Sequence, residues 1–310
     1  MNASVIICTH NPREEYLRRV LDGLRKQTLP FHQWELLLID NSSKVSLAGH
    51  FDLSWHPHAR HVREEELGLT PARLRGIKES VAAVLVFVDD DTVLAADYLE
   101  QALNVGAAWP FIGTWGGNCV PEYEVPLPDW VGDQVWRLSV QPVREDVWGN
   151  VKEGFETKPG GAGICVRRPV GLAFAEECRK NAASKGLGRK GTSLSAYEDM
   201  VFSYCAIEMG LGNGKCSRLY LTHLIPATRL TLDYFLRHAE ADAASLMIIR
   251  AFHGLPIAPP GKQTLLGSLR WWLHRVIHRV PREQYEIAKA HQRGYEKGWR
   301  LAQQYLETKK

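Results

Sequence analysis

The sequence predicts an α/β fold, with a mixed, mostly parallel sheet flanked by helices and followed by a C-terminal helical appendage. Short apolar runs rich in Val, Ile and Leu alternate with longer segments of helical periodicity, which favours strand–helix units. The main runs end in polar or acidic residues, as buried strands do at the edge of a sheet. With 310 residues, 45% of them hydrophobic, the chain can bury a full core and carry an appendage.

The most informative stretch is VLVFVDDDT, residues 84–92, in which a buried-strand pattern runs into three consecutive carboxylates. In an extended segment Asp89 and Asp91 point to the same side, whereas Asp90 faces away or bonds to a neighbouring loop. Asp89 and Asp91 could therefore hold one Mg²⁺ or Mn²⁺ ion, whose open positions phosphate oxygens usually fill. The simpler alternative is a solvated acidic turn that caps a helix predicted over residues 92–103.

The segments around this strand are predicted to form further strand–helix units with right-handed crossovers. Asn11 is the expected cap of the first helix, and Pro12 its first residue. The predicted strands are residues 4–8, 34–40 and 60–63, and the predicted helices are residues 13–27 and 70–81.

Polar residues follow these strands at the edge where ligands of open α/β sheets bind. Thr9 and Asp40 end the first two strands, so we expect them to border one crevice together with the acidic triplet. Arg73, in the helix before the central strand, can grip a diphosphate or stack on a base, unless it is simply an exposed helix residue.

The second half of the chain offers fewer patterns. Residues 109–148 lose periodicity, which predicts a long loop on the sheet; Trp130 within it could instead pack on a sugar ring. The glycines before ICVRR indicate a close backbone approach. Glu198 and Asp199 open a helix, where acids serve either catalysis or only the helix dipole, and His223 follows a strand predicted over residues 218–221.

Composition excludes several classes of protein. The net charge of +3 and the lack of a basic stripe interleaved with aromatics speak against nucleic-acid binding. The six cysteines lack disulfide or zinc spacing, and no secretion signal or apolar run of membrane-spanning length is present, so we expect a cytoplasmic protein. The histidines at 50, 56, 58 and 61 are interpreted as part of a solvated loop rather than a metal cluster.

Seven segments in order resemble glycosyltransferase family 2, the inverting transferases of GT-A, or Rossmann-like, fold that use nucleotide-activated sugars. They span residues 3–238 and are ICTHNPRE, LLIDNSS, GLTPARLRGI, FVDDDT, GGAGICVRR, YEDM and HLIPATRLTLDYF. Two residues depart from the family pattern. Leu74 stands where members often carry asparagine, and Tyr197 replaces the usual glycine before the Glu-Asp pair.

The resemblance implies a role for each candidate site residue. Asp199 would be the general base, and Glu198 would orient the acceptor or support Asp199. The implied ligands of Mn²⁺ or Mg²⁺ are Asp89, Asp91 and His223. The implied nucleotide-binding residues are Thr9, His10, Asn11, Asp40, Arg73 and Asp90.

The predicted domains are a transferase domain, residues 1–245, and a helical extension, residues 246–310. Within the extension, residues 265–280 form a basic amphipathic helix that would lie on an anionic membrane, on the catalytic domain or on a second copy in a homodimer. A polar helix is predicted to follow over residues 282–306.

The leading hypothesis is transfer of a sugar from a nucleotide-sugar, with UDP-sugars favoured, to a glycan or lipid-linked acceptor in polysaccharide biosynthesis. The reaction would take place in the cytoplasm, with peripheral contact to the inner face of the membrane as an option. One alternative is a sugar-nucleotide nucleotidyltransferase, which would need a glycine-rich loop in place of THNPRE. Another is a non-catalytic glycan- or membrane-binding module with the same fold.

Overall fold

The computed structural model describes residues 1–180, 188–189, 191, 194, 197–261 and 280–308. The chain forms two compact units. The first comprises Met1–Glu122, Ser139–Thr192 and Tyr197–Ile225, and the second comprises Tyr123–Leu138, Ser193–Ala196 and Pro226–Lys310. The boundary predicted after residue 245 falls within a helix of the second unit, Leu232–Phe252, and stays a prediction.

One mixed sheet dominates the fold, as predicted. In the described residues the strands are β1 Ala3–Thr9, β2 Trp34–Asn41, β3 Ala59–Glu64, β4 Val84–Asp89, β5 Thr92–Leu94, β6 Ile112–Tyr123, β7 Val147–Gly149, β8 Cys165–Arg167 and β9 Gly212–Ile225. Their order in the sheet is β3-β2-β1-β4-β8-β6-β9-β5, and β7 pairs with β9 at the side.

The first four strands in the sheet order, β3, β2, β1 and β4, run parallel. Thr9 lies opposite Asp40, and Cys8 lies opposite Asp89, so the carboxyl ends of β1, β2 and β4 meet at one edge. This confirms the predicted parallel arrangement. Among the other pairings, β4 with β8, β8 with β6, and β9 with β5 and β7 are antiparallel.

Five helices described in the first unit flank the sheet: α1 Glu14–Arg25, α2 Leu69–Glu79, α3 Tyr98–Ala108, α4 Arg168–Lys180 and α5 Glu198–Glu208. The apolar residues of α1 recur at three- and four-residue intervals, so they share one face and are all buried: Leu17, Val20, Leu21 and Leu24. Asn11 does not cap this helix. Its backbone has φ 48°, and its side chain accepts a hydrogen bond from the Lys44 N–H instead.

Two predictions of local structure were wrong. Residues 92–103 are not one helix, because Thr92–Leu94 form β5 against β9 and α3 begins at Tyr98. Residues 109–148 are not one loop, because Ile112–Tyr123 form the long strand β6. Gly116 and Gly117 interrupt the apolar alternation of β6. A side chain has no room at Gly116, because an added Cβ would lie 2.9 Å from Pro159.

The second unit contains two long helices, α6 Leu232–Phe252 and α7 Arg282–Thr308, and the latter confirms the predicted last helix. Gly294 and Gly298 of α7 face the backbone of α6, where a Cβ added at Gly298 would lie 2.5 Å from the Ala244 carbonyl oxygen. Trp130, also in this unit, packs edge-to-face on Phe235 with ring centroids 5.1 Å apart.

The amphipathic helix predicted over residues 265–280 falls almost entirely outside the described residues, which omit 262–279. Its three alternative binding surfaces therefore stay predictions. In the part of the chain that the structure describes, no helix is both long and apolar enough to cross a membrane.

Candidate active site

The acidic triplet forms the turn between β4 and β5. The Asp89 N–H donates to the Thr92 hydroxyl, which in turn donates to the Asp89 carbonyl, both at 3.1 Å. Asp90 turns toward the end of β1, where the Thr9 hydroxyl donates to its carboxylate. Asp90 therefore bonds to a neighbouring segment, which is one of the two orientations expected for it.

Asp91 and His223 lie side by side because β5 pairs with β9, with Thr92 opposite His223. The His223 Nε2 atom is 3.5 Å from the Asp91 carboxylate, and both residues are buried. A carboxylate oxygen and an imidazole nitrogen suit Mn²⁺. Among the described residues no group of three or more His, Cys, Asp or Glu side chains is arranged to hold an ion by itself. The pair fits an ion that takes its other ligands from a diphosphate and water.

Asp40 organises the loop that follows β2. Its carboxylate accepts hydrogen bonds from the Ser43 N–H at 3.0 Å, the Leu47 N–H at 3.2 Å and the Arg63 guanidinium at 2.8 Å. Burial opposes ionisation of Asp40, but the hydrogen bonds from Ser43, Arg63 and Leu47 outweigh it and lower its pKa. The carboxylate therefore stays charged and fixes the shape of this rim.

His10 and Asn11, both exposed, tie the turn after β1 to the same loop. His10 Nδ1 lies 2.7 Å from the Asn41 carbonyl oxygen, and the Asn11 N–H donates to the Ser43 hydroxyl at 2.9 Å. The two predicted nucleotide-binding segments thus form one continuous rim beside Thr9.

Arg73 is a buried cation surrounded by acids, not an exposed helix residue. It is 1% exposed, and its guanidinium lies 3.1 Å from Glu198 and 3.9 Å from Asp89. The guanidinium carbon also stands 5.4 Å from the centroid of the Phe87 ring. Arg73 therefore links the acidic turn after β4 to the helix that carries Glu198.

Glu198 and Asp199 occupy the first turn of α5, which begins after Tyr197 in the left-handed conformation with φ 76°. The Asp199 carboxylate accepts from its own helix, through the Met200 N–H at 2.9 Å, and from the Gly161 N–H. Burial raises the pKa of both carboxyl groups, and the charge of Arg73 only partly offsets it. A carboxylate with a raised pKa is suited to act as a general base near neutral pH.

Gly161 is a site residue that sequence reasoning did not single out. A Cβ added there would lie 3.0 Å from the Arg73 guanidinium and 3.4 Å from the Asp199 carboxylate, so only glycine lets this backbone approach both. The glycine run before β8 indicates a close approach in the sequence, and the structure identifies Arg73 and Asp199 as the residues approached.

The histidine-rich segment is not a solvated loop throughout. His56 is 3% exposed and packs on Trp34 with ring centroids 4.1 Å apart. Burial lowers the pKa of His56 to about 4. His56 is therefore a neutral core residue. Its burial cannot be predicted from a segment rich in His and Pro.

The parallel strand ends and the acids that meet at one edge of the mixed sheet are typical of the GT-A fold. Residues 4–155 match the family model described as Glycosyl transferase family 2. This match supports a glycosyltransferase family 2 domain over a little less than half of the chain. Glu198, Asp199 and His223 lie beyond the matched residues, so their placement rests on the structure.

A curated relative is Glycosyltransferase AglE of Haloferax volcanii, which is 28% identical over 133 residues. The match covers 39% of this chain and 43% of that protein, less than half of its length. Among solved structures, S. aureus TarS 1-349 has 15% identity and a TM-score of 0.53, and the comparison covers 98% of this chain and 92% of that one. The complex of TarS 1-349 with UDP-GlcNAc has 14% identity and a TM-score of 0.52 at the same coverage. At this identity the likeness shows the fold.

Proposed function

We propose that the protein is a metal-dependent inverting glycosyltransferase that moves a sugar from a UDP-sugar to a hydroxyl of a glycan or lipid-linked acceptor. One observation carries the proposal. Arg73 stands 3.9 Å from Asp89 of the acidic turn and 3.1 Å from Glu198, the neighbour of Asp199. The acidic turn proposed to bind phosphate and the residue proposed to accept the proton therefore belong to one charged cluster.

The donor is proposed to be a UDP-sugar because TarS 1-349, which shares this fold, has been solved in complex with UDP and with UDP-GlcNAc. We assign the nucleotide to the rim built by Thr9, His10, Asn11, Asp40 and Asp90. Asp40 would bond to the base, as the family resemblance implies, from a carboxylate that the loop holds in place through Ser43, Leu47 and Arg63. Arg73 would contribute positive charge from below this rim.

Asp91 and His223 would hold the divalent ion, with Asp89 close to the diphosphate. Mn²⁺ or Mg²⁺ bound there would neutralise charge that develops on the departing nucleoside diphosphate. The buried carboxylate–imidazole pair supports this role, because such a pair offers one oxygen and one nitrogen ligand at 3.5 Å separation.

Asp199 would take the proton of the acceptor hydroxyl. As that oxygen forms its bond to the anomeric carbon, the bond from this carbon to the diphosphate oxygen breaks on the opposite face, which inverts the configuration. Arg73 would hold Glu198 in place through their 3.1 Å contact, and Glu198 would orient the acceptor beside Asp199. Asp199 is itself fixed by the Met200 and Gly161 N–H groups, so the base is preorganised.

The two alternatives are less well supported. A nucleotidyltransferase would need a glycine-rich loop after β1, where the chain has THNPRE. A non-catalytic module would have no use for a buried and a half-buried carboxyl group beside Arg73, an arrangement that costs stability. We propose that the protein acts in the cytoplasm, with peripheral contact to the membrane through residues 265–280. All six cysteines are free, which supports a reducing compartment.

The experiment is to measure UDP release and sugar transfer from a panel of UDP-sugars with Mn²⁺, using the wild type, D199N and D91N. Loss of a general base lowers turnover by about 10²- to 10⁴-fold. We therefore expect D199N to lose transfer by that factor, and D91N to lose its response to Mn²⁺. The exposed residue Asp22 supplies the matched control D22N. Full transfer by D199N would overturn the proposal.

A further inference from the structure

We propose that Tyr197 and Phe155 form an aromatic platform that binds a sugar ring of the acceptor next to Asp199. This proposal rests on the proposed function, because it takes Asp199 as the base that meets the acceptor hydroxyl. It deepens that function by assigning the residues that select the acceptor.

The first observation is the backbone of Tyr197. Its φ of 76° and ψ of 14° lie in the left-handed region, which bulky side chains rarely adopt and which glycine adopts at no steric cost. A tyrosine held in a strained conformation next to the proposed base indicates that its side chain is used.

The second observation is the support beneath Phe155. This side chain is 46% exposed, yet its loop is rigidly held. The buried Lys158 ammonium donates to the carbonyls of Val151 at 2.8 Å, Glu153 at 3.1 Å and Gly154 at 2.8 Å. The Lys215 ammonium donates to the carbonyl of Phe155 itself at 2.7 Å. An exposed aromatic ring on a fixed loop loses little freedom when a ligand binds to it.

The two rings are neighbours. Their centroids lie 6.0 Å apart and their planes are inclined by 34°, with Phe155 exposed and Tyr197 half-buried. Aromatic faces of this kind can pack on the C–H face of a pyranose ring while the ring hydroxyls stay available for hydrogen bonds.

Both members of the platform are connected through the chain to segments that contact Asp199. Tyr197 precedes Asp199 by two residues on α5, and the loop of Phe155 continues to Gly161, whose N–H bonds to the Asp199 carboxylate. A general base must lie within hydrogen-bond reach of the hydroxyl from which it takes the proton. An acceptor sugar bound by Asp199 therefore lies within reach of this aromatic pair, which would select acceptors by the apolar face of their ring.

The test uses the full chain with a UDP-sugar, Mn²⁺ and a panel of methyl hexosides as acceptor probes. With a hexoside that the wild type glycosylates, Y197G and F155A should raise the KM for the hexoside about tenfold, the factor that corresponds to one lost aromatic contact. The KM for the UDP-sugar should not follow. Y197F should restore the wild-type value, because it keeps the ring face. The control F111A removes another exposed aromatic, 41% exposed, and should leave the KM for the hexoside as it is.

A purely structural role for Tyr197 would give a different result. Y197G would then lower the melting temperature and raise both KM values together. Because glycine relieves the backbone strain, we expect Y197G to melt at the same temperature or higher. An unchanged KM for the hexoside in Y197G and F155A would overturn the proposal, as would a wild type that glycosylates no hexoside. An effect seen with alkyl glycosides but not with methyl glycosides would assign the surface to a lipid and would also overturn it. Failure of the proposed function shows separately, as absence of UDP release by the wild type.

Discussion

At the scale of single residues, the central feature is the charge balance around Arg73. Glu198 and Asp199 are adjacent acids, the first buried and the second half-buried, and one guanidinium only partly offsets their desolvation and mutual repulsion. The site therefore holds free energy that could be released by neutralising a carboxylate. Such an arrangement is expected where chemistry rather than stability determines the residues.

The raised pKa of Asp199 predicts the pH dependence of transfer. Asp199 must be deprotonated to act as a base, so activity falls as the pH drops through its pKa, which lies above the ordinary value of 3.8. A profile of kcat/KM from about pH 4 to about pH 9 should show an acid limb above the usual titration range of aspartate. An acid limb at or below the ordinary value would contradict this prediction.

Replacing Arg73 should destabilise the fold strongly. R73M leaves Glu198 buried without its cation, and breaking such a pair costs about 3–5 kcal/mol. The free energy of unfolding from urea denaturation measures this loss. The double variant R73M/E198M should recover much of it, since no buried charge is left uncompensated.

A matched control lies on the same helix. Arg75, with its side chain 35% exposed, pairs with Glu79 at 3.1 Å, and R75M should cost about 1 kcal/mol or less. If R73M and R75M lowered the free energy of unfolding equally, Arg73 would not be the buried cation that compensates Glu198.

The sequence was informative about which residue types form the site and less so about their surroundings. Acids at strand ends can be recognised because a run of carboxylates directly after a buried strand repels itself and needs a cation or water to offset that repulsion. The burial of Arg73 cannot be recognised, because its partner Glu198 is 125 positions away in the chain. The conformation of Tyr197 also depends on the tertiary structure, since no local pattern requires a left-handed tyrosine.

At the scale of elements, the helices and strands predicted correctly from periodicity are those whose structure depends on local apolar spacing. The buried stripe of α1 and the strands β1, β2 and β4 follow from apolar spacing. The strand β5 does not, because Thr92–Leu94 is extended only through pairing with β9, more than a hundred residues later. A Thr after acids is a common helix start, and tertiary pairing overrode that signal.

The glycines of α7 provide a prediction at this scale. Alanine normally stabilises a helix relative to glycine by about 1 kcal/mol. In G298A, however, the new Cβ would meet the Ala244 carbonyl of α6 at 2.5 Å, so the helices would have to separate. We expect G298A to lower the melting temperature of the second unit. The substitution G261A, where a Cβ would meet nothing within 4 Å, is the control. A stabilised G298A would contradict the close packing.

At the scale of the whole molecule, the site is assembled by the topology of the sheet within the first unit. Asp40, Asp91, Asp199 and His223 are dispersed in sequence and come from β2, the turn before β5, α5 and β9. Parallel pairing brings the first strand ends together, and the antiparallel pairing of β5 with β9 adds His223 to Asp91. The general rule for α/β sheets predicted the first step from sequence. The second step needed the structure, because the pairing partner of β5 has no local signal.

The most direct test of this account is the melting temperature with UDP and Mn²⁺, each alone and together, for the wild type and for D91N/H223A. A ligand that binds only the folded protein stabilises it by about 2.7 kcal/mol at 100 times its Kd. The account predicts a clear upward shift with UDP that Mn²⁺ enlarges in the wild type, and no enlargement by Mn²⁺ in the double variant. An equal shift in both proteins, or no shift with UDP at all, would contradict it.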